Sequence, residues 1–368
     1  MRIVCFTHSL VSCWNHGNAH FLRGVLSELL ARGHDVHSYE PAEGWSRTNL
    51  AADHGTAPLD GFGRHYPELV SRAHLIGPDL DAMLDGADLV LVHEWTDPAL
   101  IAAIGRRRKH GHFLLLFHDT HHRAVSDPQA ISRLDLSFYD GVLAFGETLA
   151  RVYRGYGWGS RAFVWHEAAD ARRFRPPALE QPRSGVVWIG NWGDDERSDE
   201  LQDYLLRPTA VLSLPLDVHG VRYPDSALAA LAAAGACYRG WIANAEVPAV
   251  LARHMMTVHV PRRFYTTHLP GIPTIRVFEA LACGIPLLCA PWLDSEALFQ
   301  PGRDFLMAHS PSEMQDHMRA IAADGCLRRS LATAGRAVID ARHTCAHRAD
   351  ELLAIAARLG AAPRQEAA

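Results

Sequence analysis

The sequence lacks an excess of basic charge. Arginine and lysine together number 36, against 41 aspartates and glutamates, and the formal net charge of the 368 residues is −5. Proteins that bind nucleic acid use clustered Lys and Arg to neutralise phosphates. The composition therefore argues against nucleic acid as a main partner. The hydrophobic fraction of 48% is sufficient to bury the cores of about two domains.

Long apolar runs and secretion signals are lacking as well. No uncharged apolar stretch approaches the roughly 20 residues that a transmembrane helix needs. The beginning, MRIVCFTHSL, reads as a strand and a loop, without the charged segment, the apolar segment or the cleavage site of a signal peptide. The seven cysteines are scattered, and none form a Cys-x-x-Cys pair. We therefore expect a reduced, cytoplasmic protein with no transmembrane segment. Peripheral contact with a membrane is an open alternative.

Apolar runs of strand length alternate with amphipathic stretches along the chain. RIVCF, ADLVLVHE and HFLLLFHD are separated by helix-like segments, and a second series starts at GVVWIGNW after a stretch rich in proline and charge over 163–184. This alternation is typical of parallel βαβ units covered by helices on both faces. We predict an α/β protein with two Rossmann-like, doubly wound domains over 1–168 and 169–345. Residues 346–368 are predicted to form a helix that crosses back toward the first domain, with a frayed tail.

The first amphipathic stretch predicts a helix with defined ends. Phe21, Val25 and Leu29 recur every four residues and form one apolar face. Asn18 is predicted as the N-cap, and Gly33 as the stop beyond the last turn.

A second helix is predicted within GIPTIRVFEALACGIPLLCAP. Pro273 suits the first turn, Gly284 suits the residue beyond the end, and the helix should cover about 274–283. Arg276 and Glu279 lie one turn apart, so they could simply pair on an exposed face. Alternatively, the N–H groups at the helix start hold an anion, and the carboxylate accepts hydrogen bonds from a sugar diol. Both interpretations are open at this point.

The run R-V-F-E-A-L-A-C-G-I-P-L-L at 276–288 resembles the nucleotide-sugar signature of retaining GT-B glycosyltransferases. The resemblance is to the large family 4 group and especially to the CgeB-like group, in which the glutamate matching Glu279 binds the ribose hydroxyls of the donor. HEAADARRFRP at 166–176 is similar to an interdomain segment of these families. GNWGDDER at 190–197 and VHVPRR at 258–263 occupy the places of donor-binding loops.

This resemblance implies a GT-B fold, in which two Rossmann-like domains face each other across a cleft. The N-terminal domain is then the acceptor side, and the C-terminal domain binds the nucleotide sugar. No cofactor and no metal ion is implied beyond the nucleotide sugar itself.

The sequence departs from the family 4 pattern at two places. The second glutamate that usually stands eight positions before the one matching Glu279 is replaced by Gly271. The arginine that usually follows the glycine of the 190 loop is Asn191, which leaves Arg197 as a shifted candidate. Gly190 and Asn191 are still expected beside the donor nucleotide, and Gly271 marks the position toward the sugar.

Basic groups are needed where a nucleoside diphosphate leaves. Negative charge grows on the departing phosphate and must meet preorganised hydrogen-bond donors. The candidates are Arg197, Arg262 and Arg263 as catalytic residues and Arg276, Thr274 and Ile275 as donor-binding residues.

The N-terminal half carries a cluster of polar side chains after the apolar run HFLLLF. His118, Asp119, His121 and His122 lie within five residues and could be metal ligands. Their spacing matches no closed zinc motif, so we expect no metal. By resemblance, His118 takes the place of a histidine that contacts the transferred sugar, and Asp119 lies toward the acceptor. A structural role, with Asp119 stabilising the loop, is the alternative.

Two further loops follow predicted strands in this half. Gly17 and Asn18 lie in the first strand-to-helix connection, which the resemblance places beside the donor diphosphate. Glu94 and Trp95 end another strand and are candidates to face the acceptor, although Trp95 could equally be a packing residue.

The resemblance thus implies a metal-independent, retaining glycosyltransferase. It would move a sugar from a UDP- or GDP-linked donor to the hydroxyl of an unknown saccharide, lipid-linked or small-molecule acceptor. Two alternatives are a sugar-nucleotide epimerase or hydrolase of the same fold and a non-catalytic sugar-nucleotide-binding partner in polysaccharide assembly.

Overall fold

The computed structural model describes residues 1–159, 161–178, 181–193 and 195–360. The chain forms two compact units, one from Met1–Glu167 with Cys345–Ala368 and the other from Ala168–Thr344. We call these unit 1 and unit 2. The tail predicted to fray, at 363–368, lies outside the described residues.

Unit 1 is built on a seven-stranded parallel sheet. Its strands are β1 (Arg2–Phe6), β2 (Asp35–Pro41), β3 (Ser71–His74), β4 (Leu89–His93), β5 (Leu114–Asp119), β6 (Gly141–Ala144) and β7 (Ala162–Val164). Their order across the sheet is β3-β2-β1-β4-β5-β6-β7, and each pairing is parallel. Strands β4, β5 and β6 are buried along their whole length, which explains their near-continuous apolar sequences.

Helices connect these strands. They are α1 (Asn18–Ala31), α2 (Trp45–His54), α3 (Ala57–Asp60), α4 (Phe62–His65), α5 (Leu80–Leu84), α6 (Pro98–Arg108), α7 (Arg123–Ser126), α8 (Pro128–Ser132) and α9 (Glu147–Tyr156). The N-cap assigned to Asn18 is wrong: Gly17 caps α1, and the Asn18 amide instead donates to Thr120 Oγ1 at 3.1 Å. The predicted stop at Gly33 is confirmed, because this residue has φ +81° just beyond the helix.

Unit 2 contains a six-stranded parallel sheet in the order β10-β9-β8-β11-β12-β13. Its strands are β8 (Val186–Ile189), β9 (Leu216–His219), β10 (Cys237–Gly240), β11 (Met256–His259), β12 (Leu287–Cys289) and β13 (Leu306–Met307). Its helices are α10 (Ser198–Leu201), α11 (Arg207–Val211), α12 (Asp225–Ala233), α13 (Val247–Leu251), α14 (Arg263–Thr267), α15 (Ile275–Ala282), α16 (Pro311–Ala323) and α17 (Gly325–Arg342). A π-helical turn, Gln202–Leu206, joins α10 to α11.

The last helix, α18 (Cys345–Arg358), belongs to unit 1. Its Asp350 accepts a hydrogen bond from Arg32 at 2.6 Å, and the carbonyl of its Arg348 accepts one from Trp165 Nε1 at 2.9 Å. These contacts fix α18 beside α1 and next to the end of β7.

Each sheet has one point where the strand order reverses. In unit 1 the chain runs outward from β1 to β2 and β3, then returns to the other side of β1 with β4. Unit 2 repeats this pattern at β8 and β11. Ligands of open parallel sheets bind outside the carboxyl ends of the strands at such points. Across the part of the chain that the structure describes, no helix is long and apolar enough to span a bilayer.

Candidate functional site

A buried arginine holds together the loops that follow β8 and β11. Arg197 is only 9% exposed, and its guanidinium donates to the carbonyl oxygens of Asn191 at 2.7 Å and Val260 at 2.9 Å. It also contacts the carbonyl of Trp192 at 3.5 Å and stacks over the Trp188 ring. Burial, and then neighbouring positive charge, lowers its pKa to about 10, so it stays charged at neutral pH. Most of its donors are therefore engaged within the protein.

The two arginines after β11 diverge. Arg262 bonds Glu196 at 2.8 Å and Asn191 Oδ1 at 3.1 Å, which places its guanidinium beside the loop that follows β8. Arg263 is half-exposed and pairs with Glu200 at 2.8 Å. Of these two sequence candidates, the structure brings only Arg262 to the strand ends.

Helix α15 begins at the same edge of the sheet. The predicted span of about 274–283 differs from the observed Ile275–Ala282 by one residue at each end. Thr274 is the N-cap in an extended conformation, and its Oγ1 lies 3.2 Å from His259 Nε2 at the end of β11. Burial, and then the charge of Arg197, lowers the pKa of His259 to about 3, so its imidazole is neutral. A neutral histidine thus lies directly beneath the helix N-terminus.

Glu279 is a buried carboxylate one turn into α15. It is 1% exposed and accepts hydrogen bonds from Arg276 at 2.6 Å and from Asn244 Nδ2 at 2.8 Å. The Arg276 pair exists, but not on an exposed face, because the carboxylate is buried. A small cavity lies next to it, lined by His259, Arg276 and Glu279 together with apolar side chains. Burying a charge is costly unless it is paired and hydrogen-bonded, and both conditions are met here.

Gly271 lies in a backbone conformation that would strain a glutamate at this position. Its φ is +95°, and a Cβ built on it would lie 2.2 Å from Ser295 Oγ. Side chains other than hydrogen are strained in this backbone region. Glycine at this position is thus consistent with the local backbone, whose positive φ favours it.

We expect Gly271→Ala to lower the free energy of unfolding of unit 2 by about 1–3 kcal/mol, because a non-glycine residue in a sparsely populated backbone region costs that much. Thermal unfolding measures the change. Gly325→Ala at the start of α17 is the control, since Gly325 has no positive φ and meets only the ends of arginine side chains. Equal stability of the two variants would contradict the prediction.

A larger cavity of unit 2 is separate from this edge. It has a volume of about 700 Å³ and is lined by Arg173, Arg175, Arg253 and Arg336 with several prolines and alanines. Pro248 and Ala249 of α13 line it, whereas Val247 and Leu251 of the same helix line the cavity beside Glu279. It therefore lies on another side of α13.

In unit 1, His118 lies at the carboxyl end of β5 and is 1% exposed. Its ring packs 4.8 Å from that of Trp165 and 5.6 Å from that of His93. Neither ring nitrogen has a hydrogen-bond partner among the described residues. Burial, and then His93, lowers its pKa well below the usual value, so the imidazole is neutral.

Asp119 and Glu94 are buried carboxyl groups beside it. Asp119 accepts hydrogen bonds from Tyr153 Oη at 2.6 Å and from the His121 amide at 2.8 Å, which is the loop-stabilising arrangement that was its alternative role. Glu94 Oε2 lies 2.7 Å from His93 Nε2. Burial raises the pKa of Asp119 to about 7 and that of Glu94 to about 8.

The loop between β1 and α1 is fixed by residues that the sequence did not single out. Glu40, fully buried at the end of β2, accepts hydrogen bonds from the amides of Leu10 at 2.5 Å and Val11 at 3.1 Å. Arg23 donates to the carbonyl of Leu10 at 2.7 Å from the other side. Through Asn18 and Thr120 the same loop reaches the end of β5. The sequence around Glu40 does not indicate that this residue binds the β1–α1 loop, because the loop lies about 30 positions earlier in the chain.

Metal-binding geometry is not found among the residues that the structure describes. No three His, Cys, Asp or Glu side chains come together there as a ligand set, including those at 118–122.

The buried titratable groups of unit 1 predict a stability maximum near pH 6.5. Burial lowers the pKa of His93 to about 3 and of His8 to about 4, from 6.5, and it lowers those of His16 and His118 as well. Below pH 6.5 the unfolded chain therefore binds more protons at these four histidines, and stability falls on acidification by up to about 1.36 kcal/mol per pH unit for each.

Glu94 and Asp119 act in the opposite direction, because their raised pKa values make the folded state bind more protons up to about pH 8 and 7. Stability is therefore lost again as the pH rises through these values. We expect the Tm to be lower at about pH 5 and about pH 8.5 than at pH 6.5. A Tm that rises or falls steadily across this range would contradict the assignment.

Residues 199–354 match a family model described as "Glycosyl transferase-like". No curated protein sequence matches the chain.

Among solved structures, sucrose-phosphate synthase from Thermosynechococcus elongatus superposes with a TM-score of 0.67 at 13% identity, over 99% of this chain and 100% of that one. The Anabaena protein Alr3699/HepE, in complex with UDP and glucose, gives 0.68 at 12% identity over 97% and 99%. T4 phage BGT, in complex with its UDP-glucose substrate, gives 0.59 at 12% identity over 98% and 100%. At these identities the likeness concerns the fold, and it confirms the predicted fold class.

Proposed function

We propose that this chain, which has the GT-B fold and whose residues 199–354 match a family model described as "Glycosyl transferase-like", is a glycosyltransferase, and we propose where its nucleotide-sugar donor binds. The site is the carboxyl edge of the unit 2 sheet, at the ends of β8 and β11 and the start of α15. The donor is UDP- or GDP-linked, and UDP leads because the structures of Anabaena HepE and of T4 phage BGT contain it or UDP-glucose.

The observation that carries the proposal is the buried Glu279 carboxylate. Asn244 and Arg276 fix its plane at 2.8 and 2.6 Å. A carboxylate offers about four acceptor positions, and the two hydroxyls of a ribose are donors at matching spacing. Charge-assisted hydrogen bonds of this kind contribute more than neutral ones. Glu279 therefore serves as the ribose-binding residue.

The diphosphate then lies at the start of α15 and beside Arg262, whereas the ribose lies at Glu279. The N–H groups at Thr274 and Ile275 point along a helix axis that favours negative charge at this end. Arg262 supplies the cation, and the backbone at Gly190 and Asn191 borders the same space. Arg197 acts as a positioning residue, since its donors hold the two loops in register.

We propose further that transfer proceeds with retention and without a metal ion. The resemblance of 276–288 to retaining enzymes supports retention, and Arg262 with the α15 N-terminus supplies the positive charge that a metal would otherwise bring. Transfer should persist in EDTA, and an NMR spectrum of the product should show the donor's anomeric configuration. An inverted product, or loss of activity in EDTA, would overturn the respective part. The scattered spacing of the seven cysteines supports a cytoplasmic location.

Glu279→Ala tests the site directly. We expect the affinity for UDP to fall by roughly 10- to 150-fold, because hydrogen bonds to charged groups contribute about 1.5–3 kcal/mol. Isothermal calorimetry measures the change, and thermal unfolding confirms that the variant is folded.

Asp316→Ala is the matched control for this test. Its carboxylate is exposed on α16 and pairs with Arg319 at 2.6 Å, so the affinity for UDP should not change. An unchanged affinity in folded Glu279→Ala would remove the ribose assignment.

A further inference from the structure

Aromatic rings form a continuous row along the carboxyl edge of the unit 1 sheet. His8 follows β1, Trp45 opens α2 after β2, Trp95 follows β4 and His121 follows β5. The strands stand in the order β2-β1-β4-β5, and the rings stand in the same order. Centroid distances are 6.2 Å for Trp45–His8, 6.3 Å for His8–Trp95 and 5.3 Å for Trp95–His121. We call these four rings the aromatic row.

Both tryptophans of the row are unusually accessible. Trp45 is 45% exposed and Trp95 is 42% exposed, although a tryptophan side chain gains much from burial. Single exposed apolar residues are ordinary, but these two tryptophans lie on one strip of neighbouring rings, and contiguous exposed apolar surface is a feature of interaction sites.

Neighbouring side chains hold both exposed tryptophan rings in place. Trp14 packs edge-on against Trp45 with centroids 5.0 Å apart and is itself fixed by a 2.7 Å hydrogen bond to Asp53. The Arg123 guanidinium stacks on Trp95 at 4.3 Å and donates to the carbonyl of Glu94. The row is therefore preorganised, which reduces the entropy lost when a ligand binds.

The chemistry of the row selects among acceptor classes. A binding site for an alkyl chain would be lined by Leu, Ile or Phe side chains, and a site for an anion would be lined by several Lys or Arg. The aromatic row instead alternates the flat apolar faces of tryptophans with imidazoles. Burial, and then the neighbouring His93, lowers the pKa of His8 to about 4, so its imidazole is neutral. Sugar rings combine an apolar C–H face with hydroxyl groups, which match an indole face and an imidazole nitrogen respectively.

We propose that the acceptor is a saccharide of at least two rings, which pack on Trp45 and Trp95 on either side of His8. This inference rests on the proposed function and on the family resemblance, which makes the N-terminal domain the acceptor side. It assigns the acceptor's chemical class, with Trp45 and Trp95 as the residues that select it.

Saturation-transfer NMR on the full chain tests the proposal. The probes are maltose, cellobiose, lactose and N,N′-diacetylchitobiose, with 4-nitrophenol and 1-octanol as aromatic and alkyl alternatives. We expect transfer to the ring protons of at least one disaccharide. Trp45→Ala and Trp95→Ala should each weaken this binding by roughly tenfold, in line with the loss of an aromatic contact.

Trp158→Ala is the matched control, because Trp158 is also partly exposed in unit 1 but stacks on Tyr156 beyond the end of α9. It should leave disaccharide binding unchanged. Transfer to no disaccharide, stronger transfer to 4-nitrophenol or 1-octanol, or equal loss in Trp158→Ala would overturn the proposal.

Calorimetry with UDP on the same samples separates the two claims. UDP binding without disaccharide binding rejects the acceptor class and leaves the donor site intact. Absence of binding of both UDP and GDP, each titrated into the same sample, rejects the proposed donor site itself. Unchanged UDP affinity in the two tryptophan variants shows that they act only on the acceptor side.

Discussion

Arg262→Ala is expected to lower kcat by about 100- to 1,000-fold, the usual cost of removing one preorganised donor to developing negative charge. The guanidinium is fixed before any substrate arrives, because Glu196 and Asn191 hold it at 2.8 and 3.1 Å. The charge on the departing phosphate grows in the transition state, so the loss should appear mainly in kcat and less in KM. Steady-state release of the nucleoside diphosphate measures both constants.

Arg263→Ala is the control next to it in sequence. Its side chain pairs with exposed acids at 2.8 and 3.5 Å, and surface pairs of this kind contribute little. We expect kcat to stay within about twofold of the unaltered enzyme. A larger loss in Arg263→Ala than in Arg262→Ala would show that the phosphate contact had been assigned to the wrong arginine.

Arg197→Ala is expected to act on stability more than on chemistry. The change would remove the donor that binds the buried carbonyl of Val260 and the partly buried carbonyl of Asn191, and a buried group left unsatisfied costs about 1–3 kcal/mol. For a unit of this size a loss of about 3 kcal/mol lowers the Tm by roughly 6–12 °C. Arg197→Lys should not rescue the loss, because an ammonium cannot reproduce the planar fork.

Arg207→Ala provides the comparison for that stability loss. Arg207 is exposed on α11 and pairs with Asp203 one turn away, so its removal should change stability by less than about 0.5 kcal/mol. If Arg197→Ala kept the stability of the unaltered protein while kcat collapsed, Arg197 would be a catalytic residue rather than a positioning one.

Local patterns in the sequence were sufficient for the elements around the site. The proline before Thr274 and the glycine after Cys283 mark the ends of α15 within one residue, because capping preferences depend on the immediate chain. Buried parallel strands could be recognised as apolar runs for the same reason. Capping preferences failed where a side chain bonds a residue that is distant in sequence. Asn18 was predicted to cap α1, but its side chain bonds Thr120 instead.

The partners of the site residues could not be read from the sequence. Asn244 is 35 positions from Glu279 in the sequence. The two side chains meet because of the order of β10, β9, β8 and β11 in the sheet, which a local sequence pattern does not reveal. Glu40 and the β1–α1 loop are related in the same way. The sequence also offered three arginines as equivalent catalytic candidates. Burial and pairing distinguish them, since Arg197 is enclosed, Arg263 faces surface acids and Arg262 borders the strand ends.

A crystal structure of the chain with UDP would show directly whether Glu279 binds the ribose. We expect the ribose hydroxyls within hydrogen-bond distance of Glu279 and the β-phosphate between Arg262 and the N-terminus of α15. UDP bound instead in the arginine-lined cavity beside Arg175 and Arg253, with no density at Glu279, would contradict it.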